Sequence, residues 1–172
     1  MLANNKKIID IALIPILAAI LFALEQLLSF LPNIQLTVFI ILLYSKKLGI
    51  WKTAIIIIIH VILDNLLMGS FNFLYLPFMF VGWLIIPITI NTIFKKVENS
   101  FFLALLGILF AFLYSWSYII PNCLILNVRF WDYLAADLMF ELLLAISSFI
   151  SILWLYKPCA HIFEQMLDKL KK

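Results

Sequence analysis

Leu31-Pro32-Asn33-Ile34-Gln35-Leu36-Thr37-Val38-Phe39-Ile40-Ile41-Leu42-Leu43-Tyr44-Ser45-Lys46-Lys47 is the stretch that sets the architecture. Its apolar part, Ile34 to Tyr44, is only eleven residues long, whereas a helix needs about 20 to cross the hydrocarbon layer of a bilayer. The polar, proline-containing beginning predicts a loop that dips into the protein before a truncated helix. Irregular backbone is tolerated at membrane depth only where protein or a water-filled cavity surrounds it. On either side the apolar runs are longer: Ile8 to Phe30 before it, then Ile50 to Met68, Leu74 to Phe94, Phe101 to Ile120 and Trp131 to Tyr156. The chain of 172 residues is 66% hydrophobic and 12% charged, with a mean hydropathy of +1.17, which is too apolar for a soluble domain of ordinary composition. The expectation is an all-α integral membrane protein, a compact bundle of six transmembrane helices with a short second helix. No repeat or soluble linker divides residues 1–172, so one domain is expected.

Charge orients the bundle. All eleven lysines (Lys6, Lys7, Lys46, Lys47, Lys52, Lys95, Lys96, Lys157, Lys169, Lys171 and Lys172) fall at the termini or in every second connection. The single arginine, Arg129, falls on the other side. Short cytoplasmic loops retain Lys and Arg, so both termini are expected in the cytoplasm of a multi-pass cell-membrane protein. The lysines flank apolar runs rather than forming a basic face, which excludes nucleic acid as a partner. The N-terminal run outlasts a signal peptide's apolar region and is read as a retained span. Cys123 and Cys159 fall at opposite membrane faces and are not expected to pair; no CxxC or Cys/His cluster suggests a metal or other cofactor.

The carboxylates divide in the same way. Asp10, Glu98, Glu164 and Asp168 accompany the lysines, while Glu25, Asp64, Asp132, Asp137 and Glu141 map to the opposite half. A carboxylate within a span costs a few kcal/mol unless it is paired, hydrated or turned to a cavity. Helical spacing adds aromatic and polar stripes at matching depth: Tyr75, Met79 and Trp83; Tyr114, Tyr118 and Asn122; Tyr133, Asp137 and Glu141; and His60 with Asp64. Together they suggest one outward-facing pocket with stacking surface and a few orienting polar groups.

Simpler roles compete for several of these residues. Tyr75, Trp131 and Tyr133 suit an interfacial aromatic belt. Asp132 suits a helix N-terminus and a pairing with Arg129. His60 and Asp64 suit a hydrogen bond one turn apart better than metal ligation. Ala19 and Ala23 form a small-xxx-small pair that fits either internal packing or a docking face. Asp137 and Glu141, one turn apart, repel each other unless one is protonated or a cation lies between them. There is no GxxxxGK[ST] phosphate loop and no GxSxG elbow, so neither ATP hydrolysis nor serine catalysis is expected and the chain is read as a non-enzyme.

The sequence resembles the substrate-binding S component of energy-coupling factor (ECF) vitamin transporters. The resemblance lies in Leu31 to Thr37 after the first span, in Asp64-Asn65-Leu66-Leu67-Met68-Gly69-Ser70, and in Leu76-Pro77-Phe78-Met79-Phe80-Val81-Gly82-Trp83. It implies a prokaryotic plasma-membrane location and a vitamin-like small molecule bound from outside. It also implies that Ala19 and Ala23 dock on a transmembrane coupling subunit driven by two ATPase subunits. The residues then expected at the ligand are Asn33, Gln35, Asp64, Asn72, Tyr75, Met79, Trp83, Tyr114, Tyr118, Asn122, Arg129, Trp131, Tyr133, Asp137 and Glu141. The carboxylate excess favours a neutral or cationic ligand and the aromatics a planar one. The rod-shape scaffold protein MreD is the alternative: it is similar in size and apolarity, with Pro32-Asn33 and Asp64 resembling its Pro-Asp and helix-end Asp.

Overall fold

A computed structural model describes residues 2–67 and 73–170, the side chains of residues 2–8 and of Asp10 excepted. Seven helices and no strands occur among them: α1 (Leu2–Leu28), α2 (Thr37–Leu48), α3 (Ile50–Leu67), α4 (Leu76–Thr92), α5 (Ser100–Ser117), α6 (Ile119–Leu126) and α7 (Phe130–Leu170). Four stretches are long and apolar enough to cross a bilayer: Ile11–Leu28, α3, the α5–α6 run Ser100–Leu126, and α7. α4 is apolar but slightly shorter. Large apolar side chains such as Ile16, Trp51, Phe102, Trp116 and Trp154 stand exposed around the outside. Such a surface fits lipid and not water, as expected of a multi-pass membrane protein.

The short helix is the centre of the molecule. Every residue of α2 from Thr37 to Ser45 is buried, because α1, α3, α4, α5 and α7 all pack around it. A helix that is apolar on all sides has no solvent face to offer and is stable only when enclosed. The reversal into α3 takes a single residue, Gly49, at φ 81°, a left-handed conformation that glycine adopts without a Cβ clash. At the other end the connector 29–36 turns through Asn33 at φ 54°, a conformation Asn tolerates better than most residues. Gln35 then pins the connector: its amide nitrogen and carbonyl oxygen meet Ser147 Oγ of α7 at 3.5 and 3.4 Å, and its side chain accepts from Thr37 Oγ1 at 2.9 Å.

The structure departs from the sequence reading in two places, one with a covalent cause and one with a tertiary cause. The fifth span is interrupted at Tyr118 between α5 and α6, where Pro121 lacks an N–H and its ring collides with the carbonyl four residues earlier, at Ser117. Cys123 consequently lies in α6; it and Cys159 are free thiols. The last helix runs on to Leu170 instead of ending near Tyr156. Its 41 residues make a rod about 60 Å long, roughly twice the hydrocarbon thickness. Pro158 removes a hydrogen bond to the carbonyl of Trp154, an exposed residue, yet the helix continues because its tail has partners. Phe163 packs at a tilt against Tyr44 with ring centroids 5.6 Å apart, Ala160 and Phe163 are buried, and Glu164 pairs with Lys47. That ion pair holds the Glu164 carboxyl below the usual range. Beside it, Lys46 Nζ donates to the carbonyls of Phe94 and Lys95 at 2.9 and 3.1 Å, closing the end of α4. Burial lowers the Lys46 pKa, with Glu98 opposing.

α5 and α7 form the most extensive helix pair. Gly107 makes this possible, since a Cβ there would run into Ile152 and approach Ser148 O. Ala104 and Ala111 continue the narrow seam on α5, and Ala145 and Ser148 on α7. Small residues of this kind let two backbones approach within a membrane, where dispersion and not water exclusion holds helices together.

Candidate functional site

The residues that chemistry would use lie at the end of the bundle remote from the lysines. There α1 ends, α3 ends, α5 ends and α7 begins. An open cavity of about 440 Å³ lies between α1, the 29–36 connector, α3 and α5, lined by Glu25, Gln26, Ser29, Pro32, Asn33, Gln35, Asp64 and Tyr114 among others. Gln26 Nε2 donates to Asp64 Oδ1 at 3.3 Å, linking α1 to α3. His60, buried one turn before Asp64 and only 1% exposed, places Nε2 2.9 Å from Glu25 Oε2. The pair is close but poorly aligned, and neither Glu25 Oε2 nor His60 Nδ1 has a hydrogen-bond partner. His60 therefore faces a carboxylate across a helix interface and does not hydrogen-bond to Asp64 along its own helix. The reason is direction: the imidazole points into the α1–α3 contact, the main packing surface of α1.

Next to the cavity, and sharing Tyr114 with it, is a closed cluster of rings and amides. Tyr114 stacks on Trp83 with centroids 3.7 Å apart, and its hydroxyl meets Tyr118 Oη at 3.1 Å. Tyr118 leans on Tyr75 at 6.0 Å. The Tyr75 hydroxyl donates to Asn122 Oδ1 at 2.5 Å, and the Asn122 amide nitrogen donates to the Tyr133 hydroxyl at 2.6 Å. Asn122 thus ties α6 to the start of α4 and of α7. Gly82 admits this packing: a Cβ would come within 2.9 Å of both Ser117 Oγ and the Tyr114 ring. Asn65 secures Met79 from α3, its amide nitrogen 3.1 Å from the sulfur and 2.8 Å from Val61 O.

The sequence-derived residues therefore separate into groups. Asn33, Gln35, Asp64 and Tyr114 line the cavity. Tyr75, Trp83, Tyr118, Asn122 and Tyr133 come together but contact one another, and Met79 packs beside them through Asn65. Asp137 is half-buried on α7. Glu141, one turn further, is 1% exposed with Oε1 unpartnered and the Trp116 side chain hydrogen-bonded to its carboxyl. Arg129 and Trp131 are exposed at the entry to α7, with Trp131 packed edge-on against Phe130 at 5.0 Å. Neither lines the cavity. Asn72, with Met68, Gly69 and Ser70, lies outside the described residues. Ala19 and Ala23 are exposed, as are Ala12 and Ile16 on the same helix, so this face is directed away from the bundle and not into its core.

Gln26 and Ser29 were not foreseen at the site, and Glu25 and His60 were not assigned to the ligand. The available signal was the adjacent pair Glu25-Gln26 interrupting an otherwise apolar run. Among the described residues no group of three His, Cys, Asp or Glu side chains is placed to hold a metal ion. Two further hollows are lined mainly by apolar atoms: a groove of about 370 Å³ between the connector and α7, including Ile146 and Trp154, and a crevice of about 480 Å³ by Phe94 and Phe102. Comparison with family models, curated proteins and solved structures finds no match.

Proposed function

We propose that the chain is the substrate-binding S component of an ECF-type importer, capturing a vitamin or vitamin-like small molecule from outside. A transmembrane coupling subunit and two ATPase subunits would then move the molecule inward. The observation that carries this reading is the cavity beneath the connector: a concave, polar, carboxylate-lined space at the outer end of an apolar bundle, backed by a rigid aromatic cluster. A ligand site needs that combination of enclosure and a few convergent polar groups, and carboxylates within a span are costly unless they are paired, hydrated or turned to a cavity. The lysine distribution supports cytoplasmic termini and, with them, a cavity that opens to the external side where substrate arrives. The outward-directed Ala19 and Ala23 face supports docking on a second membrane subunit.

The test is co-expression with an ECF coupling subunit and its two ATPases, followed by affinity purification and native mass spectrometry. A stoichiometric complex and a retained small molecule are expected. Ala19→Trp is expected to abolish the complex while leaving ligand retention intact, because the indole obstructs approach of a partner helix. A chain that joins no ATPase complex and retains no ligand across repeated preparations would favour the membrane-scaffold alternative.

A further inference from the structure

We infer that the cavity selects a cationic nitrogen carried on a planar ring, held by Glu25 and Asp64 against Tyr114. This deepens the reading above and rests on it for the identity of the cavity as the ligand site. The sequence stripes offer Asp64, Asp137 and Glu141 as carboxylates for the ligand. The cavity gathers Asp64 from α3 with Glu25 from α1, and neither Asp137 nor Glu141 lines it.

Three features select the charge and shape. First, among the described residues no lysine or arginine lines the cavity. Even with an imidazolium at His60, Glu25 and Asp64 together leave the site net negative, and a negative cleft with low-dielectric walls concentrates cations. Second, the acceptors are incompletely used: the Glu25 side chain is 21% exposed and lines the cavity while its Oε2 lies buried 2.9 Å from His60 Nε2, and Asp64 receives a long 3.3 Å contact from a neutral amide. An amidinium or protonated amine offers shorter, charge-assisted donors to both. Third, Tyr114 is held by the Trp83 stack and its hydroxyl is engaged by Tyr118, so it offers the cavity aromatic surface, which favours a flat cation. Asn33, Gln26 and Gln35 supply neutral amides around these groups. A volume near 440 Å³ accommodates a molecule of one or two rings.

The experiment uses three probes of one shape and different charge on the purified full chain in detergent: benzamidinium, benzamide and benzoate, titrated by calorimetry at neutral pH. Benzamidinium is expected to bind about tenfold or more tightly than benzamide, the difference one charge-assisted hydrogen bond makes, with no binding of benzoate. Glu25→Gln and Asp64→Asn are each expected to remove that preference. Asp132→Asn, the same loss of charge at an exposed position on α7, is expected to preserve it. Equal binding of benzamide and benzamidinium, preference for benzoate, or no binding of any probe by the wild-type chain overturns the inference. The wild-type comparison needs no variant, so a misfolded mutant does not protect the idea. If benzamidinium binds selectively but no ATPase complex forms, the transport reading falls and the cation site stands. If complex and uptake are found without charge preference, the transport reading stands and the cation site falls.

Discussion

The two halves of the chemically rich end use the same kinds of residue in opposite ways. In the ring cluster of α4 to α7, Tyr75, Asn122 and Tyr133 hydrogen-bond to one another, and Trp83 and Tyr114 each cover one face of the other. In the cavity between α1, α3 and the connector, Asp64 receives one long contact from Gln26, Glu25 is part-exposed and the walls stand apart. Polar groups that satisfy each other within a bundle rigidify it. Polar groups left short of partners beside open space are available to a ligand. The difference separates support from site: the cluster fixes Tyr114, and the cavity uses it.

If that division is right, substitutions in the cluster cost stability and substitutions in the cavity cost ligand affinity. The largest stability effect is expected from Trp83→Ala, which empties a side-chain volume that is 1% exposed. Buried Trp truncations cost about 3–5 kcal/mol, so its thermal unfolding midpoint in detergent should fall well below that of Asp64→Asn. Similar midpoints for the two would break the comparison. Asn122→Ala comes next, because it removes the partner of two part-buried hydroxyls, those of Tyr75 and Tyr133, at once. About 2 kcal/mol is expected from denaturant unfolding, with benzamidinium affinity little changed. Tyr133→Phe removes one member of the relay and is expected to cost about 1 kcal/mol; a larger loss of ligand than of stability would move Tyr133 into the site.

The smallest effect lies at the opposite end, where Lys47 holds Glu164. The Glu164 pKa is lowered from 4.5 in the folded chain, so its stabilisation is present above the unfolded pKa and disappears as pH falls through the folded one. Wild type should therefore unfold slightly later than Lys47→Met at neutral pH, and the gap should close as pH falls below 4.5. A gap that grows on acidification would show that some other group ties the α7 tail to α2.

Much of the helix arrangement was legible because membranes punish ambiguity: a span must be long and apolar, and lysines mark where it stops. The shortness of the second segment was visible in Pro32-Asn33 and Lys46-Lys47, but its central position was not, since a short apolar run does not say which neighbours enclose it. The break at Tyr118 was written in Pro121. The continuation of α7 beyond Pro158 was not, because it depends on Tyr44 and Lys47 from a distant helix. At the site, helical spacing brought Tyr114, Tyr118 and Asn122 onto one side. It gave no warning that Asn122 would be consumed by Tyr75 and Tyr133.

By itself, then, the sequence determined an all-helical, strongly apolar chain with charges sorted to two ends, because periodicity and hydropathy are local properties that each segment carries alone. Only the tertiary structure decided which polar groups are paired and which border open space. Glu25, His60 and Asp64 belong to two helices whose mutual rotation is fixed by packing. That rotation, and no local spacing, turns His60 toward Glu25 and brings Glu25 and Asp64 to one cavity.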